Sequence, residues 1–295
     1  MANESANKHF NFETSISLPL GDVALQDWGP KDAPVILCLH GWLDNLASFY
    51  PLAEKLSHNF HLLLIDFPGH GQSAALPEGG HYYIWQNVEL LHQLLQQQGL
   101  AKVHILGHSM GGVVASLFAG SFNEQVESLI LLDSLGPMVD SSENSPKQLA
   151  KAILDGQRQV SPLRIFPTLN DALLARKKSS PSMADAALLP IVERNLASVE
   201  GGYSWLTDSR LRQQSKVRLT EDQVKAFFNQ IKIPVQLIVA EQGIIPSVWL
   251  QQRKAYLIDV QQVNISGHHH FHAEMAGAEE SANYINDFIQ ANKSK

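Results

Sequence analysis

Residues 103–120 read VHILGHSMGGVVASLFAG, and how this stretch folds decides the rest. It opens on an apolar run of strand length and closes on a run that spaces apolar residues at three and four, as a helix does. Between them lies GHSMG (107–111), a G-x-S-x-G pentapeptide. A serine on such a strand-to-helix turn is held in a strained conformation with its hydroxyl above the sheet edge. Glycine suits positions 107 and 111, where a side chain would crowd the turn and the strand–helix contact. The plainer alternative is a serine N-cap between flexible glycines. The setting, a buried strand directly before and a helix directly after, favours Ser109 as a nucleophile.

Outward from this stretch the chain keeps the same rhythm. VILCLH (35–40), HLLLID (61–66), SLILLDS (128–134) and VQLIVAE (235–241) are short, rich in Val, Ile and Leu, and scarcely alternate. Parallel strands covered by helices on both faces read this way. NLASFYPLAEKL and YYIWQNVELLHQLLQQQ supply further helices, the second closed by Gly99 as a C-cap. Strand then helix, repeated, predicts an α/β fold: a mostly parallel sheet flanked by helices through right-handed crossovers. ISLPL and VALQDWG, upstream, suit a leading antiparallel pair, and DVQQVNISG (259–267) a last strand before the closing helix AEESANYINDFIQANK. From 136 to 230 no comparable strand run occurs. SPKQLAKAILDGQRQ, SMADAALLPIVERNLASV and LTEDQVKAFFNQ read as helices instead, the last with Thr220 as N-cap. The expected organisation is a core in two parts, 1–135 and 231–295, with a helical cap over 136–230.

Composition narrows the class without giving the chemistry. A chain of 295 residues with 44% hydrophobic content can bury a large core. A net charge of −7 argues against a nucleic-acid partner. The start, MANESANKHFNFETS, has no apolar h-region and reads as neither signal peptide nor anchor. No apolar run reaches the length of a membrane helix. Cys38, the single cysteine, lies within VILCLH and reads as a small core residue. A cytoplasmic protein with no membrane partner, monomer or homodimer, is expected.

Three more stretches bear on chemistry. In LHGWLDN (39–45) a His-Gly pair lets the backbone turn sharply at a strand end. The amides of Trp42 and Met110 could then form an oxyanion hole, unless the turn is ordinary and Trp42 merely core. DFPGHGQS (66–73) ends the next strand, and His70 is given no catalytic role. A serine hydroxyl also needs a base held in one tautomer by an acid. SGHHHFHAE (266–274) places four imidazoles, His268, His269, His270 and His272, in the loop where chain order puts that base. A metal is the competing reading of this loop. On a continued strand His268, His270 and His272 would share a face. No cysteine joins them, and GHSMG independently calls for a histidine here, so no metal or cofactor is expected.

HGW, DFPGHGQS, GHSMGG and the late histidine loop together resemble the α/β-hydrolase fold family. CLHGWLDNLASF, GHSMGGVVASLF and LILLDSLGP bring the chain closest to the serine hydrolase-like proteins, with a looser likeness in GGYSWLTDSRL and LTEDQV. The resemblance implies a late Gly-x-His-x-x-His, which laid on Gly267 makes His269 the base; a simple Gly-His count gives His268. It also implies an acid, and here the chain departs from the commonest pattern. Where many relatives carry an Asp in a Gly-x-x-Asp turn, AEQGIIP has Gly243. Asp133, ending LILLD, matches relatives that place the acid after the preceding strand, and Glu241 is the alternative. Relatives that use an aspartate nucleophile are set apart by the serine at 109.

The activity implied is hydrolysis of a carboxylic ester, thioester or lactone of a small molecule through an acyl-enzyme at Ser109. An acyltransferase, or a non-catalytic ligand-binding protein on the same fold, is the alternative. Trp205, Phe166, Phe227 and Phe228 could line the pocket or pack the cap, and packing is the commoner fate of such residues.

Overall fold

The computed structural model describes residues 12–157 and 164–292. Most of the polar start (1–11) and the ends of two expected helices, at 158–159 and 293, lie outside the described residues. The chain begins with β1 (Phe12–Leu18) and β2 (Gly21–Trp28), then β3 (Val35–Leu39), α1 (Tyr50–Leu56), β4 (His61–Ile65) and α2 (Ile84–Gln97). β5 (Val103–His108), α3 (Met110–Ser121) and β6 (Val126–Leu132) follow. An insertion comes next, with α4 (Ser145–Gly156), β7 (Ile165–Phe166), α5 (Leu169–Lys177), α6 (Asp185–Arg194), β8 (Leu196–Val199), β9 (Gly202–Trp205) and α7 (Glu221–Gln230). The sheet resumes with β10 (Val235–Gln242), α8 (Ser247–Lys254) and β11 (Val260–His268), and α9 (Met275–Asn292) ends the described chain.

The main sheet has eight strands in the order β1-β2-β4-β3-β5-β6-β10-β11. β1 pairs antiparallel with β2, and β2 with β4; every other pairing is parallel. The unalternating apolar runs are explained by two cores, one on each face. Leu37, Leu39, Leu63, Ile65, Ile105 and Leu131 point to the side that α2 and α3 cover with Leu91, Leu94, Val114 and Phe118. Their neighbours Ile36, Cys38, Leu62, Leu64, Leu106 and Leu132 point the other way, against α1 and α9, where Leu52, Leu56, Ile285 and Phe288 wait. Each such leucine or isoleucine stabilises the fold by roughly 1.5–3 kcal/mol relative to exposure, so β-branched and leucine residues are needed on both sides of these strands. Cys38 shares the second of these cores, fully buried, its thiol pKa pushed up by burial.

Local signals set the helix ends. Gly99, at φ +66°, follows α2, and the N–H of Leu100 reaches back to the Leu95 carbonyl at 2.9 Å, which satisfies an otherwise orphaned acceptor. Thr220 caps α7 by accepting the Gln223 N–H at 3.3 Å, while the Gln223 side chain accepts the Thr220 N–H at 2.8 Å.

The insertion departs from an all-helical expectation. SMADAALLPIVERNLASV is helical only to Arg194; its tail is β8, which turns through Glu200 and Gly201 into β9. With β7 these form a three-stranded antiparallel sheet in the order β7-β9-β8. Gly201 and Gly202 take φ +87° and +138°, so the pair of glycines, not the apolar pattern, carried the hairpin signal. A small core of Phe166, Ala172, Met183, Leu188, Ile191 and Val192 holds the insertion together and meets the sheet domain at Ala47 and Ala273. α7 behaves differently: its Val224 and Phe228 are buried in the main sheet's own core beside Phe118. Phe227 packs there too, whereas Phe166 lies in the insertion and Trp205 stands edge-on to it with ring centroids 5.0 Å apart.

Candidate active site

Four strand ends meet at the carboxyl edge of the sheet. β3 leads to the Gly41–Asp44 turn, β5 to Ser109, β6 to Asp133 and β11 to His269. Sequence-distant residues converge there because parallel strands all deliver their carboxyl ends to one edge.

Ser109 has φ +50° and ψ −116°, outside the regions L-residues favour. Such a residue costs about 1–3 kcal/mol and persists only where its surroundings enforce it. They do so here. The Ser109 N–H donates to the Leu132 carbonyl at 3.2 Å, and the Ser134 hydroxyl donates to the Ser109 carbonyl at 2.7 Å. α3 can start so close to β3 only because residue 111 is glycine: a Cβ there would lie 1.9 Å from the Leu39 carbonyl oxygen. Among the described residues, none hydrogen-bonds the Ser109 hydroxyl, which faces a cavity of about 790 Å³ lined also by His269, Trp42, Leu43 and Trp205.

His269 and Asp133 are joined directly. The His269 Nδ1–H donates to Asp133 Oδ2 at 2.6 Å, leaving Nε2 as the ring's unprotonated nitrogen in the neutral form. Asp133 is buried and itself held at φ +43°. Its Oδ2 also accepts the Ile244 N–H at 3.0 Å, and its Oδ1 the Ala240 N–H at 3.3 Å. The glycine at 243 now has a physical meaning. A Cβ on Gly243 would lie 2.2 Å from Asp133 Oδ1, so the carboxylate arriving from β6 fills the space a side chain from the β10 loop would take.

The alternatives lie elsewhere. Glu241 is exposed and accepts the Ser266 hydroxyl at 3.2 Å. His268 approaches Glu274 at 3.4 Å through Nε2 and accepts the His270 N–H through Nδ1. Nor do His268, His270 and His272 converge as a ligand set. His270 Nε2 is 3.1 Å from Asp44 Oδ2, while His272 is fully buried with its ring centroid 4.1 Å from that of His108 and, among the described residues, neither nitrogen partnered. The group closest to a metal-ligand arrangement among the described residues is Asp44, His108 and His270. There the Arg176 guanidinium already supplies positive charge, at 2.6 Å from Asp44 Oδ1.

Asp44, Arg176 and His108 are residues that sequence reasoning did not assign. The buried Asp44 carboxyl is held well below the usual carboxylate range: burial opposes this, but His270, Arg176 and His108 outweigh it. His108 Nε2–H donates to the His269 carbonyl at 2.9 Å and so fixes the backbone of that residue. Asp44 stands in the quoted LHGWLDN, but Arg176 comes from α5 and no local pattern marks it.

Trp42 and Met110 border a second, smaller cavity together, beside His70. Met110 opens α3, so its N–H is one of the four for which no helical carbonyl exists. The 41–44 turn is closed by the Asp44 N–H to the Gly41 carbonyl at 3.2 Å and has Leu43 at φ +60°. The Trp42 indole N–H donates to the Leu211 carbonyl of the insertion at 3.0 Å.

Burial keeps several imidazoles neutral. It pushes His40 down to about 4 and His70 down to about 3. His108 and His272 are also held well below the ordinary value, by burial first and then by neighbouring imidazoles. Unfolding frees these rings to bind protons near the ordinary pKa of about 6.5. Below that pH the unfolded chain binds more protons than the folded one, and each ring removes about 1.4 kcal/mol of stability per pH unit until its folded pKa is reached. The melting temperature should be flat above pH 7 and fall steeply between pH 6.5 and 5. A curve level down to pH 5 would contradict the neutral, buried assignment.

A family model described as alpha/beta hydrolase fold matches residues 34–247. The chain is 29% identical to a serine hydrolase-like protein of Danio rerio, over 94% of this chain and 88% of the relative. It is 28% identical to serine hydrolase-like protein 2 of Homo sapiens, over 94% of each. Among solved structures, a hypothetical protein from Pseudomonas aeruginosa PAO1 superposes with a TM-score of 0.86 at 33% identity, covering 94% of this chain and 99% of that one. Among the described residues, no helix is long and apolar enough to cross a membrane.

Proposed function

Because the chain belongs to the alpha/beta hydrolase fold family, we propose that it is a serine hydrolase acting on a carboxylic ester, thioester or lactone of a small molecule. One observation carries this reading. A serine held at φ +50° borders the same cavity as a histidine whose Nδ1 is tied to a buried aspartate at 2.6 Å. The names of the relatives in fish and human point the same way.

In this reading Ser109 Oγ attacks the carbonyl carbon as its proton passes to His269 Nε2. Asp133 keeps the proton on Nδ1 and stabilises the imidazolium that forms. The Trp42 and Met110 N–H groups receive the oxyanion, aided by the positive end of α3. Collapse of the tetrahedral species breaks the C–O or C–S bond, and His269 hands its proton to the leaving group. Water, deprotonated by the same nitrogen, then attacks the acyl-Ser109 ester and releases the acid. One ester and one water give one acid and one alcohol or thiol. The missing Ser109–His269 hydrogen bond is compatible with this, because such contacts are often loose before substrate arrives.

A fluorophosphonate probe tests the assignment. The wild-type protein should be labelled covalently and the Ser109→Ala variant should not. An unlabelled wild-type protein, correctly folded by circular dichroism, would overturn the proposal and favour a non-catalytic binding protein.

A further inference from the structure

We infer that the substrate carries an anionic group, a carboxylate or a phosphate, set several bonds from the scissile carbonyl and received by Arg164 and Arg212. The inference deepens the proposed function and rests on it. The cavity holding Ser109 and His269 is roofed by the insertion, which contributes three guanidinium side chains to its wall: Arg164, Arg176 and Arg212. Arg176 is committed, to Asp44 Oδ1 and to the Ser179 and Ser180 hydroxyls. The other two have no carboxylate within ion-pair distance among the described residues. Asp44 and Asp155 are the carboxylates on this wall, and Asp44 is matched by Arg176. Three guanidinium groups and two carboxylates thus line the cavity, a net positive charge among the described residues.

Both arginines are exposed at this wall, Arg164 with its side chain against an aromatic ring and Arg212 on a backbone segment held to the core. The Arg164 guanidinium carbon lies 4.9 Å over the ring of Phe166, which is buried and packed edge-on against Trp205, itself part of the cavity wall. Stacking of this kind fixes the plane of a guanidinium while leaving its N–H edge open for an oxyanion. Arg212 follows Leu211, whose carbonyl accepts the Trp42 indole N–H at 3.0 Å. That bond ties the segment bearing Arg212 to the turn proposed for the oxyanion hole. The remaining wall is rich in hydrogen-bonding groups, including Asn195, Thr207, Gln213 and Gln214.

The test compares p-nitrophenyl esters of matched length: hexanoate, the monoester of adipate (a terminal carboxylate in place of the methyl), and 5-phosphonopentanoate. At low ionic strength kcat/KM for at least one anionic ester should exceed that for hexanoate about fivefold to tenfold, the scale of two partly exposed charge contacts. Raising salt should shrink the ratio. Which anionic ester leads distinguishes carboxylate from phosphate. In an Arg164→Glu/Arg212→Glu variant the anionic-to-neutral ratio should drop below one. Equal rates on all three esters in the wild type, or a ratio unchanged in the variant, would overturn the inference while leaving Ser109 catalysis intact. Failure of catalysis itself would show as no Ser109-dependent turnover of any ester. Calorimetric binding of monomethyl adipate against methyl hexanoate to Ser109→Ala then still decides whether the anion is preferred.

Discussion

Replacing Asp133 by asparagine should lower kcat by about 10⁴-fold on any ester the protein turns over. The geometry states why. Asp133 Oδ2 accepts the Nδ1–H of His269 at 2.6 Å, while two backbone amides fix the carboxylate in place. An amide NH₂ can turn toward His269 and favour the tautomer with its proton on Nε2, which leaves no lone pair to accept the serine proton. Glu241→Gln should change kcat by less than about threefold, since Glu241 points to Ser266 and not to the histidine. A sharper version moves the acid. Gly243 has no left-handed φ, and a Cβ there falls within 2.2 Å of the present Asp133 Oδ1. Asp133→Ala combined with Gly243→Asp should regain about 10²-fold of the activity lost by Asp133→Ala alone. No regain from the double variant, with folding intact, would show that the carboxylate acts from β6 only. Equal losses at Asp133 and Glu241 would refute the acid assignment.

Removing the imidazole should cost more. His269→Ala should lower kcat by about 10⁴–10⁶-fold, because the bond from its Nδ1 to Asp133 leaves its Nε2 to accept the serine proton. His268→Ala should lose less than about tenfold, its ring being engaged with Glu274 and the His270 N–H. The comparison matters because imidazoles crowd this site. The ring centroids of His269 and His108 are 4.5 Å apart, and those of His269 and His270 5.0 Å. Stability should be measured alongside. A His269→Ala protein that melts with the wild type yet has lost its activity fits the account, and one retaining more than a hundredth of wild-type kcat contradicts it.

The sheet was legible because its strands obey a rule that leaves a plain trace in sequence: covered on both faces, they become runs of Val, Ile and Leu. GHSMG could be placed on its turn for the same reason, since strand and helix on either side are unambiguous. What escaped was set by contacts distant in sequence. The β8–β9 hairpin is short and half-exposed, so it has no apolar run, and its two glycines were the sole clue. α7 reads as an insertion helix by position, yet buries Val224 and Phe228 under the main sheet. The Arg176–Asp44–His270 network joins α5, the 41–44 turn and the late loop, three segments with no shared periodicity. The choice between Asp133 and Glu241 rested on resemblance. Its physical counterpart, a carboxylate occupying the space over Gly243, exists only once β6 and β10 lie side by side.

Trapping the covalent intermediate tests the central claim most directly. Mixing the protein with p-nitrophenyl acetate and quenching in acid within the first turnover should release p-nitrophenol in a burst. Peptide mass analysis should then find one acetyl group on the peptide bearing Ser109, and none on the same peptide of Ser109→Ala. A burst with the acetyl group on another residue, or steady hydrolysis unaffected by Ser109→Ala, would contradict the account.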